Sequence, residues 1–341
     1  MTPQRILDLT KRFKRQRIIV VGDVMLDHYI SGDVRRISPE APVPIVEFRS
    51  QNYLPGGAAN VARNISSLGA TIDLFGIIGR DENADILRSA LSADRIRSAG
   101  LTTDASRPTT VKTRVMASHQ QILRVDRESR EALAVTTKFR MVNAVRRAAK
   151  GAGAIIVADY AKGVIDQEVI SSLLAIGRKA GIPVCVDPKP TRPLRMSGCA
   201  LLTPNRKETF ELAHLPDTFA GEQPVKHRGL RQAVANIQKV YAPKILLITL
   251  GEAGMLLIDG NKPLRHLPTA ARAVFDVSGA GDTVIATFVL AQAAGADSIE
   301  AATLANLAAG VVVGKLGAAA VTPDELIEWA EASKHSSSSN D

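Results

Sequence analysis

Short apolar runs rich in β-branched residues recur along this chain, and segments with helical periodicity separate most of them. The predicted strands are 17–23, 72–78, 154–159, 182–187, 200–203 and 245–250. The predicted helices include 60–68, 136–150, 167–180 and 230–241. Short runs that are apolar throughout are typical of strands buried on both faces. The alternation therefore predicts an α/β fold, in which helices cover both faces of a mostly parallel sheet.

Most of the predicted strands end on, or lead directly to, a polar residue. In an open α/β sheet, ligands bind beyond the carboxyl ends of the strands. We therefore expect one rim of the sheet to collect the functional side chains from distant parts of the chain. The polar residues at these ends are Asp23, Asp159, Asp187, Thr203 with Asn205, and Thr249.

Two segments break the alternation. Residues 29–48 contain prolines at 39, 42 and 44, which are incompatible with a helix interior and fit an edge strand. Residues 109–126 have the pattern of two strands around a turn at 118–120. Together these segments predict a small antiparallel β lid at the sheet edge, which covers a substrate or pairs with a second copy.

No internal repeat or linker divides the sequence, so we predict one domain over residues 1–332. The tail, residues 333–341, reads SKHSSSSND. Segments of such low complexity and low hydrophobicity do not form a packed core, so we predict that this tail is disordered.

The segment Ser278-Gly279-Ala280-Gly281-Asp282 opens directly into an apolar helical pattern. The glycines permit a tight turn and close approach of a ligand to the backbone. A helix N-terminus presents unpaired N–H groups that attract a phosphoryl oxygen, and Asp282 beside it is placed to act as a base for an attacking hydroxyl. The alternative is that Asp282 complements the helix dipole while the glycines only pack.

Two further features indicate a polyhydroxylated ligand. Gly56 and Gly57 precede a predicted helix, and Asn60 in its first turn offers a hydrogen-bond donor and an acceptor. Asp27 follows the first strand and can accept two hydrogen bonds from neighbouring hydroxyl groups. Helix packing at the glycines and a capping role for Asp27 remain alternatives.

The segment 203–208, TPNRKE, follows a strand and opens a helix. Asn205 and Glu208 have the spacing of a capping box, which is the structural explanation. The functional explanation is that Asn205 and Lys207 contact nucleotide phosphates while Glu208 holds waters on Mg²⁺. Thr249 and Gly251 join another strand to a turn that can also bind phosphate.

The composition excludes several classes of protein. A net charge of +9 is compatible with nucleic-acid binding, but the 43 basic residues are dispersed, and one Trp and four Tyr are poor material for base stacking. No apolar run is long enough to span a bilayer, and no signal peptide is evident, so we expect a cytoplasmic protein. Cys185 and Cys199 lack metal-ligand spacing and are predicted to be reduced and buried. The histidines form no HxxxH or HxGH motif.

Two motifs in this sequence resemble the signatures of the PfkB, or ribokinase, family of carbohydrate kinases. They are GGAANVARNISSLGA at 56–70 and DVSGAGDTVIATF at 276–288. The resemblance implies a ribokinase-like three-layer sandwich with a β lid, and a cytoplasmic enzyme that uses ATP and Mg²⁺. It leaves a monovalent-cation requirement open. It also implies a homodimer that pairs through the lid, with neither nucleic acid nor membrane as a partner.

The resemblance also implies roles for individual residues. Asp282 matches the catalytic base, and the N–H groups of Gly279, Ala280 and Gly281 match the anion hole for the transferred phosphoryl group. The positions that match ATP and Mg²⁺ contacts are Asn205, Arg206, Lys207, Glu208, Thr249, Gly251 and, near the adenine, Asn306. The positions that match sugar contacts are Asp27, Gly56, Gly57 and Asn60. Our candidates for holding a substrate phosphate are Arg114, Arg124, Lys162 and Lys189.

Within the family, motifs such as RRISPEAPVPIVE at 35–47 and ADYAKG at 158–163 resemble the kinases that act on O1 of D-glycero-β-D-manno-heptose 7-phosphate, in ADP-heptose and lipopolysaccharide biosynthesis. That subfamily is often fused to an HxGH-containing adenylyltransferase domain. Without that motif, the sequence predicts a stand-alone kinase. The alternatives are a kinase for another sugar or sugar phosphate, such as fructose 6-phosphate or ribose, and a sugar-sensing protein without catalysis.

Overall fold

The computed structural model describes residues 1–117, 120–192, 194–220, 223–315 and 317–337. Its strands, in chain order, are β1 (Arg17–Gly22), β2 (Val24–Ile37), β3 (Pro44–Gly57), β4 (Thr71–Ile78), β5 (Leu101–Thr103), β6 (Val111–Ala117), β7 (Gln120–Arg127), β8 (Ala154–Ala158), β9 (Val184–Asp187), β10 (Leu201–Leu202), β11 (Ile245–Thr249), β12 (Met255–Asp259) and β13 (Arg265–Leu267). Its helices are α1 (Pro3–Phe13), α2 (Ala58–Ser67), α3 (Glu82–Ala93), α4 (Val135–Ala148), α5 (Gln167–Ala180), α6 (Arg206–Leu212), α7 (Arg228–Tyr241), α8 (Ala280–Ala293), α9 (Ser298–Val312) and α10 (Pro323–Ser337).

The larger sheet has the strand order β13-β12-β11-β10-β9-β8-β1-β4-β5 within the described residues. Neighbouring strands from β11 to β5 are parallel, whereas β12 and β13 add an antiparallel edge. All six predicted strands are present, with ends that differ by up to two residues. The prediction of an α/β fold with a mostly parallel sheet is confirmed.

Each face of the larger sheet has its own apolar core. In β1, Ile18 and Val20 pack on the side of α1, α2, α3, α8, α9 and α10. Ile19 and Val21, which point the other way, pack on the side of α4, α5, α6 and α7. The continuous apolar strands follow from this arrangement, because both faces of the sheet are covered. The three-layer sandwich is therefore confirmed.

The lid is the smaller sheet, with the order β3-β2-β6-β7. The pairs β2–β3 and β6–β7 are antiparallel as predicted, but the central pair β2–β6 is parallel. This detail of the predicted antiparallel lid was wrong, since the two hairpins pair side by side through strands that run in the same direction. The predicted turn at 118–120 includes Ser118 and His119, which lie outside the described residues.

The last helix, α10, continues to Ser337. The backbone of residues 333–337 therefore belongs to this helix, residues 338–341 lie outside the described part of the chain, and the disorder predicted for the tail stays a prediction. Cys185 and Cys199 are buried free thiols, as predicted. No helix in the described ranges is both long enough and apolar enough to cross a bilayer.

Candidate active site

Asp282 lies in the first turn of α8, and only 8% of its surface is exposed. The amide nitrogen Nδ2 of Asn60, from α2, donates a hydrogen bond of 2.6 Å to its Oδ2 atom. The hydroxyl of Tyr160, which follows β8, donates to its Oδ1 atom. Both carboxylate oxygens thus have a donor from a distant part of the chain, and the side chain has a defined orientation.

Burial raises the pKa of Asp282 to about 6, because the ionised form loses its hydration. The hydrogen bonds from Tyr160 and Asn60 oppose this rise, since they favour the carboxylate. A carboxyl group with a pKa near 6 is mostly ionised at pH 7 and can still accept a proton readily. These are the properties of a general base that works near neutral pH.

The N-terminus of α8 has no side-chain cap, and its N-cap residue, Gly279, has a φ of 78°. A Cβ atom at Gly279 would lie 2.6 Å from Nδ2 of Asn60, so a side chain there would displace the contact to Asp282. A Cβ atom at Gly281 would meet no heavy atom within 4 Å. The backbone at Gly281 is therefore open to a ligand, as an anion site requires.

The amide of Ala280 already has a hydrogen-bond partner in this structure, so its predicted role stays a prediction. We predicted that it contributes to an anion hole, but its N–H group donates a hydrogen bond of 3.2 Å to the carbonyl of Val277. The turn of residues 277–280 closes on itself and uses this donor. An anion at the helix would have to rely first on the neighbouring amides.

A cavity of about 110 Å³ lies between the lid and the start of α8. It brings together several residues that we predicted from separate motifs. Its lining residues are Met25, Asp27, Tyr29, Gly57, Asn60, Lys112, Arg114, Tyr160, Ser278, Gly279, Asp282 and Ala318. Three of the four predicted sugar positions, Asp27, Gly57 and Asn60, therefore line one cavity with the predicted base, whereas Gly56 does not line it.

Asp27 lies within strand β2 of the lid, and its side chain is buried. Its Oδ1 atom accepts a hydrogen bond of 2.5 Å from Arg114, whose guanidinium group also lies over the ring of Tyr29. A Cβ atom at Gly56 would lie 2.3 Å from Oδ2 of Asp27, which explains why glycine is required there. The capping alternative for Asp27 does not apply, because Asp27 is in the middle of a strand.

Lys112 is a cavity residue that we did not predict. It is half-buried on β6 and, among the described carboxylates, forms an ion pair with none. Burial lowers the pKa of Lys112, and nearby Lys162 lowers it further. The available signal was its spacing from Arg114, since residues two apart in a strand share a face.

The other predicted phosphate ligands are paired with carboxylates. Nζ of Lys162 lies 2.5 Å from Glu128, and Nζ of Lys189 lies 2.8 Å from Glu208. Arg124 pairs with Asp126 on the same strand. Arg124 lies opposite Arg114 in the register of β6 and β7, so both belong to the face of the lid that carries Lys112. Arg124, Lys162 and Lys189 do not line the cavity with Asp282, unlike Arg114.

The segment around Asn205 forms the capping box that we gave as the structural explanation. Oδ1 of Asn205 accepts from the amide of Glu208, and Oε2 of Glu208 accepts from the amide of Asn205. Arg206 pairs with Asp217, and Lys207, whose side chain is 82% exposed, lies 3.7 Å from Glu211. None of the four predicted nucleotide residues of this segment lines the cavity with Asp282.

Of the remaining predicted nucleotide residues, Thr249 and Gly251 lie at the carboxyl end of β11, whereas Asn306 lies on α9. Thr249, at the end of β11, pairs with Asn205 through an isolated parallel β-bridge. Gly251 has a φ of 61°, and a Cβ atom there would meet no atom within 4 Å. Asn306 is buried on α9, where its Nδ2 atom donates 2.6 Å to the carbonyl of Pro268. Asn306 thus supports the 268 loop directly, whereas its predicted position near adenine stays a prediction.

Tyr160 is the second residue that sequence reasoning missed, although it lies within the ADYAKG motif. Its hydroxyl meets Asp282 across 122 positions of sequence, a contact that no local pattern indicates. Among the described residues, no group of three His, Cys, Asp or Glu side chains is arranged to hold a metal ion.

Comparison with known proteins places this site in context. The family model described as pfkB family carbohydrate kinase matches residues 15–325. The bifunctional protein HldE of Pelobacter propionicus is 42% identical over 338 residues, which cover 99% of this chain and 68% of that protein. The bifunctional protein HldE of Erwinia tasmaniensis is 44% identical over 314 residues, which cover 92% of this chain and 63% of that protein. The chain thus spans about two thirds of the length of these relatives.

Solved structures agree with the fold. Ribokinase of Arabidopsis thaliana, complexed with ribose and ATP, superposes with a TM-score of 0.73 at 22% identity and covers 93% of this chain and 99% of its own. Phosphofructokinase-2 of Escherichia coli, in complex with potassium, has a TM-score of 0.73 at 19% identity and covers 93% of this chain and 98% of its own. At such identities these likenesses establish the fold alone.

Proposed function

This chain belongs to the pfkB family of carbohydrate kinases, and we propose that it phosphorylates O1 of D-glycero-β-D-manno-heptose 7-phosphate. As a sugar kinase of this family, it uses ATP as the phosphoryl donor. The product would be the 1,7-bisphosphate. The observation that carries the proposal is the buried carboxylate of Asp282, held at the open N-terminus of α8 beside a cavity lined by cations. The sequence motifs shared with heptose 7-phosphate kinases support the choice of sugar.

In the proposed reaction the hydroxyl on C1 of the sugar donates its hydrogen bond to Asp282. As the hydroxyl oxygen forms a bond to the γ-phosphorus, Asp282 takes the proton, and the bond between the γ-phosphorus and the β,γ-bridging oxygen breaks. ADP leaves with that oxygen. Positioning and charge neutralisation supply most of the acceleration in phosphoryl transfer, so the fixed orientation of Asp282 is central.

The backbone at the start of α8 is the proposed site of the γ-phosphoryl group. The openness at Gly281 and the helix dipole both favour an anion there. Gly251, which is equally open, and Thr249 would meet the other phosphates. Because the amide of Ala280 is engaged with Val277, we propose that Gly279 and Gly281 supply the first donors and that Ala280 joins them only if the turn shifts.

Mg²⁺ would reach the site on the nucleotide. Glu208 is suited to bind Mg²⁺ through water rather than directly. Its Oε1 atom accepts a hydrogen bond from Lys189, and its Oε2 atom accepts one from the amide of Asn205. The remaining lone pairs of the carboxylate can accept hydrogen bonds from water on the metal. Metal bound to the phosphates neutralises the charge that develops on the leaving group. Glu208 and Lys189 together would hold this hydrated end of the nucleotide in place.

The phosphate that the substrate already carries would bind to the lid. Lys112 and Arg114 share one face of β6, and Arg124 lies opposite Arg114 on β7. A dianion typically recruits several cationic donors, and Lys112 forms no direct ion pair with a described carboxylate, although Asp27 and Asp126 are close enough to act on it electrostatically. We therefore place Lys112 at the centre of this subsite, although it was absent from our sequence-based candidates.

We also propose that two copies pair through the lid. Leu123 and Val125 of β7 lie opposite Val115 and Thr113, on the face that alternates with Arg124 and so points away from the cavity. Both are exposed. An exposed apolar edge strand is a ready site for pairing. Analytical ultracentrifugation should detect a dimer that Val125→Lys weakens, whereas a monomer at all concentrations would remove this part of the proposal.

The test of function is an ATP-consumption assay with a panel of acceptors: heptose 7-phosphate, fructose 6-phosphate and ribose. We expect the highest kcat/KM with heptose 7-phosphate, and ³¹P NMR should locate the new phosphate on C1. A preference for another sugar would keep the kinase and replace the substrate. No turnover with any acceptor, despite ATP binding, would favour the sugar-sensing alternative.

A further inference from the structure

We propose that Tyr160 is a positioning residue, whose hydroxyl orients the carboxylate of Asp282 towards the sugar hydroxyl and keeps it ionised. The proposal rests on the function of Asp282 as the base, but not on the identity of the sugar. Tyr160 lines the same cavity as Asp282, and its side chain is largely enclosed between the sheet and α8.

The hydrogen-bond pattern around Asp282 carries the argument. The O–H group of Tyr160 donates to Oδ1, and Asn60 donates to Oδ2 at 2.6 Å. Each carboxylate oxygen can accept more than one hydrogen bond, so one donor at each oxygen still leaves lone pairs for a substrate hydroxyl. Two donors from different elements fix the plane of the carboxylate, which a single donor would leave free to rotate.

Hydrogen bonds also fix the backbone around Tyr160. The carboxylate of Asp23, only 1% exposed at the end of β1, accepts from the amides of Tyr160 at 2.8 Å, Val164 at 3.0 Å and Lys162 at 3.1 Å. Gly163, with a φ of 90°, completes the turn, and a Cβ atom there would lie 2.7 Å from the carbonyl of Glu131. The loop is therefore built to aim Tyr160 at α8.

The charged surroundings explain why Asp282 needs this donor. Asp27 from β2 raises the pKa of Asp282, and Lys112 from β6 lowers it. Asp187 from β9 also acts electrostatically on Asp282, and Asp187 and Asp23 both raise the pKa of Tyr160. Burial, the largest influence, and this excess of carboxylates favour the protonated acid. The O–H group of Tyr160 is the foremost influence in the opposite direction.

The test is Tyr160→Phe, which removes the donor and keeps the ring. We expect the midpoint of Asp282 titration, followed by ¹³C NMR of its carboxyl carbon, to rise by about one pH unit, the size typical of losing a hydrogen bond to a charged group. The acid limb of kcat/KM should move by the same amount. At about pH 6 this shift alone lowers kcat/KM about fivefold, and the loss should shrink as the pH rises.

Tyr29→Phe is the matched control for the titration. Tyr29 lines the same cavity, but its ring faces Arg114 and its hydroxyl makes no hydrogen bond to Asp282. The Asp282 midpoint should therefore stay unchanged in this variant. A change of equal size in both variants would show that the cavity, rather than the Tyr160 donor, controls the titration, and would overturn the proposal.

Two other outcomes would also overturn it: an unchanged Asp282 midpoint in Tyr160→Phe, or a loss of kcat/KM that is the same at every pH. If Tyr160→Phe does not fold, 3-fluorotyrosine at position 160 provides a stronger donor, and the midpoint should then fall. The NMR titration needs no substrate. A wrong sugar would therefore leave it intact, and only the role of Tyr160 is at stake in that readout.

Discussion

The two sides of the candidate site are built in different ways. On the proposed acceptor side, between the lid and α8, side chains are already joined to one another: Arg114 to Asp27, and Asn60 and Tyr160 to Asp282. On the proposed nucleotide side, the chain offers exposed backbone at Gly251 and Gly281. The acceptor side is thus a set of oriented side chains, and the nucleotide side is a set of turns.

The segment before α8 also differs from the proposed acceptor side, because its apolar side chains are exposed. Val274, Phe275 and Val277 are 63%, 69% and 67% exposed, although all three are large apolar residues. The backbone of this segment is held at the end of α9, since the amides of Phe275 and Asp276 both donate to the carbonyl of Val313, the residue after that helix. A surface of exposed apolar side chains and open glycine backbone fits a flat, polyanionic ligand such as a nucleotide.

The two sides of the site differ for a chemical reason. A base must be held within a few tenths of an ångström of the hydroxyl that it deprotonates, and side chains locked by hydrogen bonds provide that. Phosphate oxygens are met by backbone N–H groups, which need only a turn of the right shape. Substitutions on the two sides should therefore fail in different ways.

The largest expected effect follows from Asp282→Asn. The variant cannot accept the proton, so kcat should fall by about 10³-fold, while ATP affinity measured by calorimetry stays within about twofold. Asp85→Asn, at an exposed position on α3, is the control for loss of a carboxylate as such. Retention of wild-type kcat in Asp282→Asn would remove Asp282 as the base.

The same variant should change stability with a defined pH dependence. The pKa of Asp282 is about 6 in the folded protein and about 3.9 in an unfolded chain, so its ionisation opposes folding. This cost is absent below about pH 4, develops as the pH rises towards 6, and is complete above it. Urea denaturation should find Asp282→Asn more stable than wild type by at most about 3 kcal/mol at pH 8, with no gain at pH 4. A gain that is independent of pH would contradict the burial argument.

Substitutions at Lys112 and Lys207 should differ in their effect on KM for the sugar phosphate. Lys112→Met removes a cation from the proposed phosphate subsite and should raise KM for the sugar phosphate about 20-fold, with little change in KM for ATP. Lys207→Met should leave KM for the sugar phosphate unchanged, because the side chain of Lys207 is exposed on α6 and does not line the cavity. An effect of Lys112→Met on KM for ATP alone would place the substrate phosphate elsewhere.

The smallest effects distinguish two glycines of one motif. Gly279→Ala introduces a Cβ atom at a positive φ and 2.6 Å from Asn60, and should destabilise the fold by about 1–2 kcal/mol. Gly281→Ala meets no atom within 4 Å and should stabilise α8 by at most about 1 kcal/mol, while the methyl group covers the anion site and lowers kcat. Thermal denaturation compares the two variants, and equal destabilisation would show that the motif has only a packing role.

The parts of this molecule that sequence reasoning predicted correctly depend on local patterns. Apolar runs identified the buried strands, the spacing of Asn205 and Glu208 identified a capping box, and the glycines before Asp282 identified a helix N-terminus. Each pattern extends over fewer than about ten residues, so the physical cause and its sequence signature coincide.

The parts that it missed depend on long-range contacts. Tyr160 and Asp282 are 122 positions apart, and nothing near either residue indicates the other. The parallel pairing of β2 with β6 likewise joins two hairpins that are separated by α2, β4, α3 and β5. The lack of a direct ion pair at Lys112 could be recognised only once its neighbours on the lid were known, because ion pairing depends on what lies across the sheet.

The most direct test of the account is a crystal structure with heptose 7-phosphate and a non-hydrolysable ATP analogue bound together. The account predicts O1 of the sugar within about 3.2 Å of a carboxylate oxygen of Asp282, with the γ-phosphorus at the N-terminus of α8 and the 7-phosphate against Lys112. A sugar bound with O1 directed away from Asp282, or a γ-phosphoryl group far from Gly281, would contradict it.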